Sequence, residues 1–289
     1  MNTVRLSLLA LLLSSAIYAD NMNAFFDKEH HKKFTQEELN KTRKYYHQAK
    51  IFKDKRDLKS AENEFDKILQ IVPHNLYSDD YIFALLTKAK LYAYFEDLDK
   101  AKESILLACG IPEKLAKEIS QEKDICNQKV AKKFINKIEN LIDKENFYGY
   151  HAVRSYLFSV AKIKNVGYEK QRDKARDSMG KYSLYLYPQL LRLESMKINR
   201  RQKLEALQNE LKTAKNPQEI KKLETILAYT YSSLGEFDKA LEISNRHLSK
   251  NPKDLDALYN KMNIFMTKGE YQKMKEYEKK ILEIKPNAF

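Results

Sequence analysis

Residues 223–254 read LETILAYTYSSLGEFDKALEISNRHLSKNPKD, and residues 255–288 read LDALYNKMNIFMTKGEYQKMKEYEKKILEIKPNA. Gly235 and Gly269 stand 34 positions apart, as do Phe237 and Tyr271, Leu248 and Leu282, and Pro252 and Pro286. Four coincident marks at one spacing make a repeat. Each mark has a physical role. The glycines fall between two amphipathic stretches, where a helix must end and φ can turn positive. The aromatic two residues later fills the gap between paired helices. Ala240 sits where the second helix must approach the first closely, and the prolines stop the second helix and turn the chain. Leu227, Ala228, Tyr231 and Leu241 supply the apolar face. The unit is a helix–turn–helix of 34 residues.

Working outward, the same register appears near the other end. In KYYHQAKIFKDKRDLKSAENEFDKILQIVPHN, residues 44–75, the positions Tyr45, Ala49, Phe52, Ala61, Phe65, Ile68 and Pro73 match, and Arg56 replaces the turn glycine. A further copy, LLTKAKLYAYFEDLDKAKESILLACGIP, covers residues 85–112 and keeps Ala89, Tyr92, Leu98 and Ala101. Ala61 and Ala101 are 40 positions apart, so extra residues lie around positions 77–81.

These residues resemble the tetratricopeptide repeat family. Ala228, Tyr231, Gly235, Phe237, Ala240 and Pro252 match the family's marks, whereas Met262 and Met274 stand where it prefers small residues. The resemblance covers about half the chain and implies an all-α fold, an α-solenoid of helix–turn–helix repeats. Between the two pairs the pattern is less regular. Leu115, Ile119, Ile125, Val130, Phe134, Ile138 and Leu141 recur at helical spacing, and Gly149 falls in the break after them. A short helix then ends at Gly167, a charged one ends at Gly180, and a longer amphipathic helix spans residues 190–215 with Leu193, Met196, Leu204, Leu207 and Leu211. This middle reads either as degenerate helix pairs or as a separate helical domain. The expected division is a signal peptide at 1–19, a flexible arm at 20–35, an N-terminal repeat pair at 36–112, an irregular helical region at 113–216 and a C-terminal repeat pair at 217–289. Thr35 with Glu38 forms the sequence pattern of a capping box opening the first helix.

Composition agrees with a helical chain. Among 289 residues there are six Gly and six Pro, too few for the turns of an all-β protein, and the apolar fraction of 43% is too high for general disorder. The opening MNTVRLSLLALLLSSAIYAD has a basic residue, Arg5, an apolar run at 6–13 and small residues before Asp20. That is secretory-signal anatomy, with cleavage after Ala19 or Ala16. The apolar run is short for a membrane span. The chain is therefore expected to be exported and to work in the periplasm or envelope. Export permits a disulfide between Cys109 and Cys126, the two cysteines. The alternative is two buried thiols.

The formal charge is +13. Part of the excess is local: residues 169–203 hold ten Lys or Arg against four Asp or Glu, including Lys170, Arg172, Lys174, Arg176, Arg192, Lys197, Arg200 and Arg201. Tyr182, Tyr185 and Tyr187 interrupt the run. Stacking and phosphate contact with nucleic acid is one use of such a cluster, but export argues against it. An anionic cell-wall polymer or lipid head group suits the compartment better, and solvated helix faces are the simplest account.

The family resemblance further implies that the first helix of each pair lines a groove for peptide segments of partner proteins. Carried onto this sequence, the first copy presents Arg43, Tyr46, Lys50 and Lys53, and the second Leu86, Lys90 and Tyr94. The last two present Tyr229, Ser232 and Ser233, then Tyr259, Asn263 and Met266. The N-terminal groove is basic and aromatic, which suits an acidic or C-terminal peptide. Catalytic signatures are missing: there is no phosphate-binding glycine loop and no nucleophile elbow. His30 and His31 beside Glu29 lie in the arm, and His47, His74, His151 and His247 lack ligand spacing. Glu62 and Glu64 point to different helix faces. No cofactor, metal or enzymatic activity is expected, and the leading function is a protein–protein interaction scaffold.

Overall fold

A computed structural model describes residues 35–72, 79–141, 147–163 and 183–289. Within them lie twelve helices and no strand: α1 (Gln36–Asp54), α2 (Leu58–Ile71), α3 (Asp79–Tyr94), α4 (Leu98–Ala108), α5 (Glu113–Gln121), α6 (Gln128–Glu139), α7 (Phe147–Val160), α8 (Ser183–Thr213), α9 (Pro217–Ser233), α10 (Phe237–Lys250), α11 (Leu255–Thr267) and α12 (Tyr271–Ile284). Residues 1–34, where the signal peptide and most of the arm were expected, the stretch at 73–78 with Pro73, and residues 164–182 with Gly167 and Gly180 lie outside the described residues.

Helices α1 and α2, α3 and α4, α9 and α10, and α11 and α12 pack as hairpins. The four turns share one backbone design. Each holds a residue at positive φ: Arg56 at 62°, Glu96 at 65°, Gly235 at 77° and Gly269 at 71°. In each, the N–H of the next residue reaches back five positions to a carbonyl. Asp57 donates to Phe52 at 2.8 Å, Asp97 to Tyr92 at 2.9 Å, Glu236 to Tyr231 at 2.9 Å and Glu270 to Phe265 at 2.8 Å. This is the bonding of a helix ended by a left-handed residue. The substitution of Arg56 for glycine therefore leaves the turn geometry unchanged. In the two N-terminal turns the next residue also caps the second helix: Asp57 accepts from the Ser60 N–H and Asp97 from the Lys100 N–H, both at 3.0 Å.

Helix starts follow from their caps. Thr35 and Glu38 form the reciprocal capping box on α1. Asn216 accepts from the N–H groups of Gln218 and Glu219, and Pro217 occupies the first helical position of α9, where no donor is needed. Small residues sit at the close approaches within the hairpins: Ala61, Ala101, Ala228 and Ala240 have no exposed surface. Met262 and Met274 fill the equivalent space between α11 and α12 and are buried there. Each buried Leu or Ile adds roughly 1.5–3 kcal/mol to such packing.

The middle differs from a run of hairpins. Helix α5 lies against α4, α6 against α7, and the 31-residue α8 against α4, α7 and α9. Side chains of α5–α7 join those of α1–α4 in one continuous core, to which α8 adds Leu186, Leu190 and Leu193. Farther along, α8 places Leu207 in a second core with Leu223, Leu227, Tyr231 and Ile243. A third core, around Met262, Phe265, Met274 and Ile281, holds α11 to α12. Helix α8 is thus the strut between the two halves.

Gly149 does not mark a break. It lies within the first turn of α7, and a Cβ built on it would come 2.6 Å from the carbonyl carbon of Cys109. The residue is there for close approach of α7 to the end of α4. The bridge between Cys109 and Cys126 is not formed: both thiols are free. Cys109 is buried at the end of α4 beneath α7, whereas Cys126 is exposed in the loop before α6. Burial pushes the Cys109 thiol well up, which makes it a poor nucleophile.

Candidate binding surface

Helix α1 carries Arg43 and Lys50 on an exposed face, seven positions and two turns apart, with His47 exposed between them. Lys53 follows on the same side. Its ammonium lies 5.1 Å from the ring centre of Tyr94 on α3 and 3.7 Å from Asp54. That contact joins the basic row of α1 to Lys90 and Tyr94 on α3. Lys90 has exposed surface, yet protein around it desolvates its amine and lowers its pKa. Tyr46 departs from the expected groove. Its ring packs edge-on against Phe65 at 5.6 Å and Phe83 at 6.1 Å, so it is part of the contact between α1, α2 and α3. Leu86 likewise packs against the main core.

In the C-terminal half, Tyr229 is 39% exposed. Tyr259 and Asn263 are half-buried, and the Tyr259 ring lies edge-on to Phe289 at 6.0 Å. Ser232 and Ser233 do not face a groove. Both are buried at the end of α9, where their small side chains let neighbours approach. Asn260 donates to the Thr225 carbonyl at 3.2 Å and ties α11 to α9. Glu224 staples α9 to α10 by accepting from Arg246 and lying 2.7 Å from His247.

The basic cluster of residues 169–203 is not an open patch where it is described. Lys197 is buried. Its amine donates to Asp99 at 2.5 Å and to the Ser120 carbonyl at 2.8 Å. Arg200 donates to the Ser233 carbonyl at 2.6 Å, and Arg201 to the Lys123 carbonyl. These three cations turn inward and fasten α8 to the helices around it. Among the described members Arg192 and Lys203 are exposed, and Lys170, Arg172, Lys174 and Arg176 lie outside the described residues. Sequence charge missed this, because composition cannot tell a solvated cation from one that ends on a carbonyl.

Sequence reasoning also missed a buried polar group. The Glu194 Oε2 on α8 accepts from the Lys102 amine of α4 at 2.7 Å and from the Tyr156 hydroxyl of α7 at 2.8 Å. Lys102 and Glu194 have no exposed surface. Burial lowers the Lys102 pKa to about 8, opposed by the Glu194 charge. Burial alone would raise the Glu194 pKa, but Lys102, Lys197 and the Tyr156 hydroxyl outweigh it and hold the carboxyl below its usual range. The group is sealed from solvent and joins three helices, which makes it a structural clasp. Its one sequence signal was a charged residue, Glu194, in register with Leu190 and Leu193. Among the described residues no cluster of His, Cys, Asp and Glu could hold a metal, and no helix is long and apolar enough to cross a membrane.

With this geometry in view, comparison with known families matches residues 255–288, the α11–α12 hairpin, to the tetratricopeptide repeat. No curated protein matches the chain. Repeats of this kind are in general non-enzymatic modules that bind other proteins.

Proposed function

We propose, on the support of the matched unit and the hairpins either side of the middle, that the chain is a tetratricopeptide-repeat protein acting as a non-enzymatic scaffold or adaptor of the bacterial envelope. Residues 1–19 direct its export. The exposed face of α1 and α3 receives an acidic segment of a partner protein. The observation that supports this is the Lys53 ammonium 5.1 Å from the Tyr94 ring centre, which brings the basic row of α1 against the helix that carries Lys90 and Tyr94. Lys90 deepens the case: an amine already stripped of part of its water gains more from an incoming carboxylate than a fully solvated one does. Non-polar contact with Tyr94 adds affinity with little ordering cost.

The test is recovery of partners from an envelope extract by the mature chain and by a Lys50→Glu, Lys90→Glu double variant. The unaltered chain should recover a defined partner, and the variant should bind it about tenfold more weakly, equivalent to 1.4 kcal/mol. Equal recovery by both proteins removes the basic face as the binding site.

A further inference from the structure

Helix α6 keeps open the kind of positive charge that α8 turns inward. Its buried side is Ala131, Phe134, Ile135 and Ile138. Its outer side shows Lys129, Lys132, Lys133 and Asn136 to solvent, with Lys137 partly exposed beside them. Lys129, Lys132 and Lys133 form no ion pair among the described residues. The Lys137 amine lies 2.5 Å from Glu118 of α5. Lys114 of α5 and Lys133 act on the same carboxylate, and the three cations, Lys137 foremost, hold its pKa below the usual range. One acid is thus shared by three lysines, and the outer sides of α5 and α6 meet in one basic face. The acid of α6 itself, Glu139, is taken by Arg154 of α7 at 2.8 Å.

This arrangement runs against the electrostatics of the helix. The first turn of α6 has no acid and holds Lys129, where the positive end of the helix dipole favours a carboxylate. Lys129 repels Lys132 and Lys133 at three- and four-residue spacing, and Lys133 repels Lys137. Elsewhere that spacing carries opposite charges: Lys41 with Glu37, Lys67 with Glu64, Lys239 with Glu236 and Lys273 with Glu270. A helix that forgoes these gains holds its charge for something outside the chain.

We propose that the α5–α6 face binds an anionic bilayer surface, with lipid phosphate groups as its ligands. Charge complementarity gives the sign of the ligand, and the residue types give its source. Lysine ammoniums are hydrated point charges on flexible stems, which suit a diffuse field of head groups better than a shaped pocket. The outer sides of the two helices present no aromatic residue and no arginine, so they lack the platforms that stack on bases and the anchors of a protein interface. The lysines also lie on two helices. A sheet of phosphates meets both at once, whereas a single polymer strand follows one row. Lys50 and Lys90 take no part, so this reading and the acidic-segment reading fail separately.

The test uses residues 20–289, since the apolar run at 6–13 would itself enter a bilayer. The protein should sediment with vesicles of mixed phosphatidylcholine and phosphatidylglycerol at low ionic strength, not with phosphatidylcholine alone, and added salt should release it. Lys129→Gln, Lys132→Gln and Lys133→Gln together should weaken binding about a hundredfold. Lys222→Gln, Lys253→Gln and Lys279→Gln, which remove the same charge from exposed sites elsewhere, should weaken it no more than about threefold. The α6 variant should also resist urea as well as the parent or better, because a repulsion has gone. Equal weakening by the two variants, or an α6 variant less stable than the parent, overturns the proposal. Absence of binding to the anionic vesicles does so too, and retention of soluble polyphosphate in that case makes the ligand a polymer.

Discussion

Glu194 shows how much rests on one side chain. Its carboxylate is the shared acceptor for Lys102 and Tyr156, so it fixes α4, α7 and α8 at a point no water reaches. A Glu194→Gln substitution keeps the shape and removes the charge, leaving the Lys102 ammonium buried without its counter-ion. Breaking a buried pair in this way costs about 3–5 kcal/mol. Urea unfolding should show that loss, while Lys102→Met with Glu194→Leu should lose far less, since both charges go together. The pH dependence has two signs. Glu194 is held below its ordinary range, so its contribution is present above the unfolded pKa and is lost as pH falls through the folded value. Lys102 is lowered to about 8 from 10.5, so the unfolded chain binds more protons between those values, and stability from this group rises with pH across that interval. The double variant should flatten both slopes.

At the scale of elements, two glycines make opposite demands. Gly235 has open space where its Cβ would be, so Gly235→Ala costs only the left-handed backbone, about 1 kcal/mol. Gly149 has no unusual backbone angle to protect but no room, since an added Cβ would overlap the Cys109 carbonyl group. Gly149→Ala must push α7 away from the end of α4 and should cost about 2 kcal/mol or more. Chemical denaturation of both variants checks the order, and a Gly149→Ala variant no less stable than Gly235→Ala contradicts the close approach. The contrast also explains what was legible in the sequence. Gly235 and Gly269 announce themselves because a turn glycine recurs with the repeat. Gly149 has no repeat partner, and its reason lies 40 positions away in Cys109, so it reads as a break. Arg56 and Glu96 hide the turn in the opposite way, because backbone bonding and caps at Asp57 and Asp97 hold a conformation the side chains do not advertise.

At the scale of the whole molecule, the local pattern gave the hairpins and little of how they meet. Helix α8 was readable as amphipathic, but its two ends face different cores, and periodicity alone does not say which. The groove residues divided similarly. Lys50 and Lys90 face outward as spacing implies, while Tyr46 packs on Phe65 and Phe83, Ser232 and Ser233 are buried, and Lys197 of the basic cluster ends on Asp99 and the Ser120 carbonyl. Those partners are set by the third dimension, and a lone sequence does not record them.

The strut itself has a consequence for how such a chain can vary. Helix α8 advances about 1.5 Å and turns about 100° with every residue, so the heading of the C-terminal half is geared to a residue count. One alanine inserted after Gln202 should leave helical content by circular dichroism unchanged, yet swing α9–α12 around the rod and abolish oxidative joining of a Lys59→Cys, Gly269→Cys pair, since a Cβ built on Gly269 lies 3.9 Å from the Lys59 Cβ. An insertion of the same size in the loop at 122–127 should be silent in that assay. The chain tolerates length change at its corners, while along this rod a single extra residue acts as a slipped tooth.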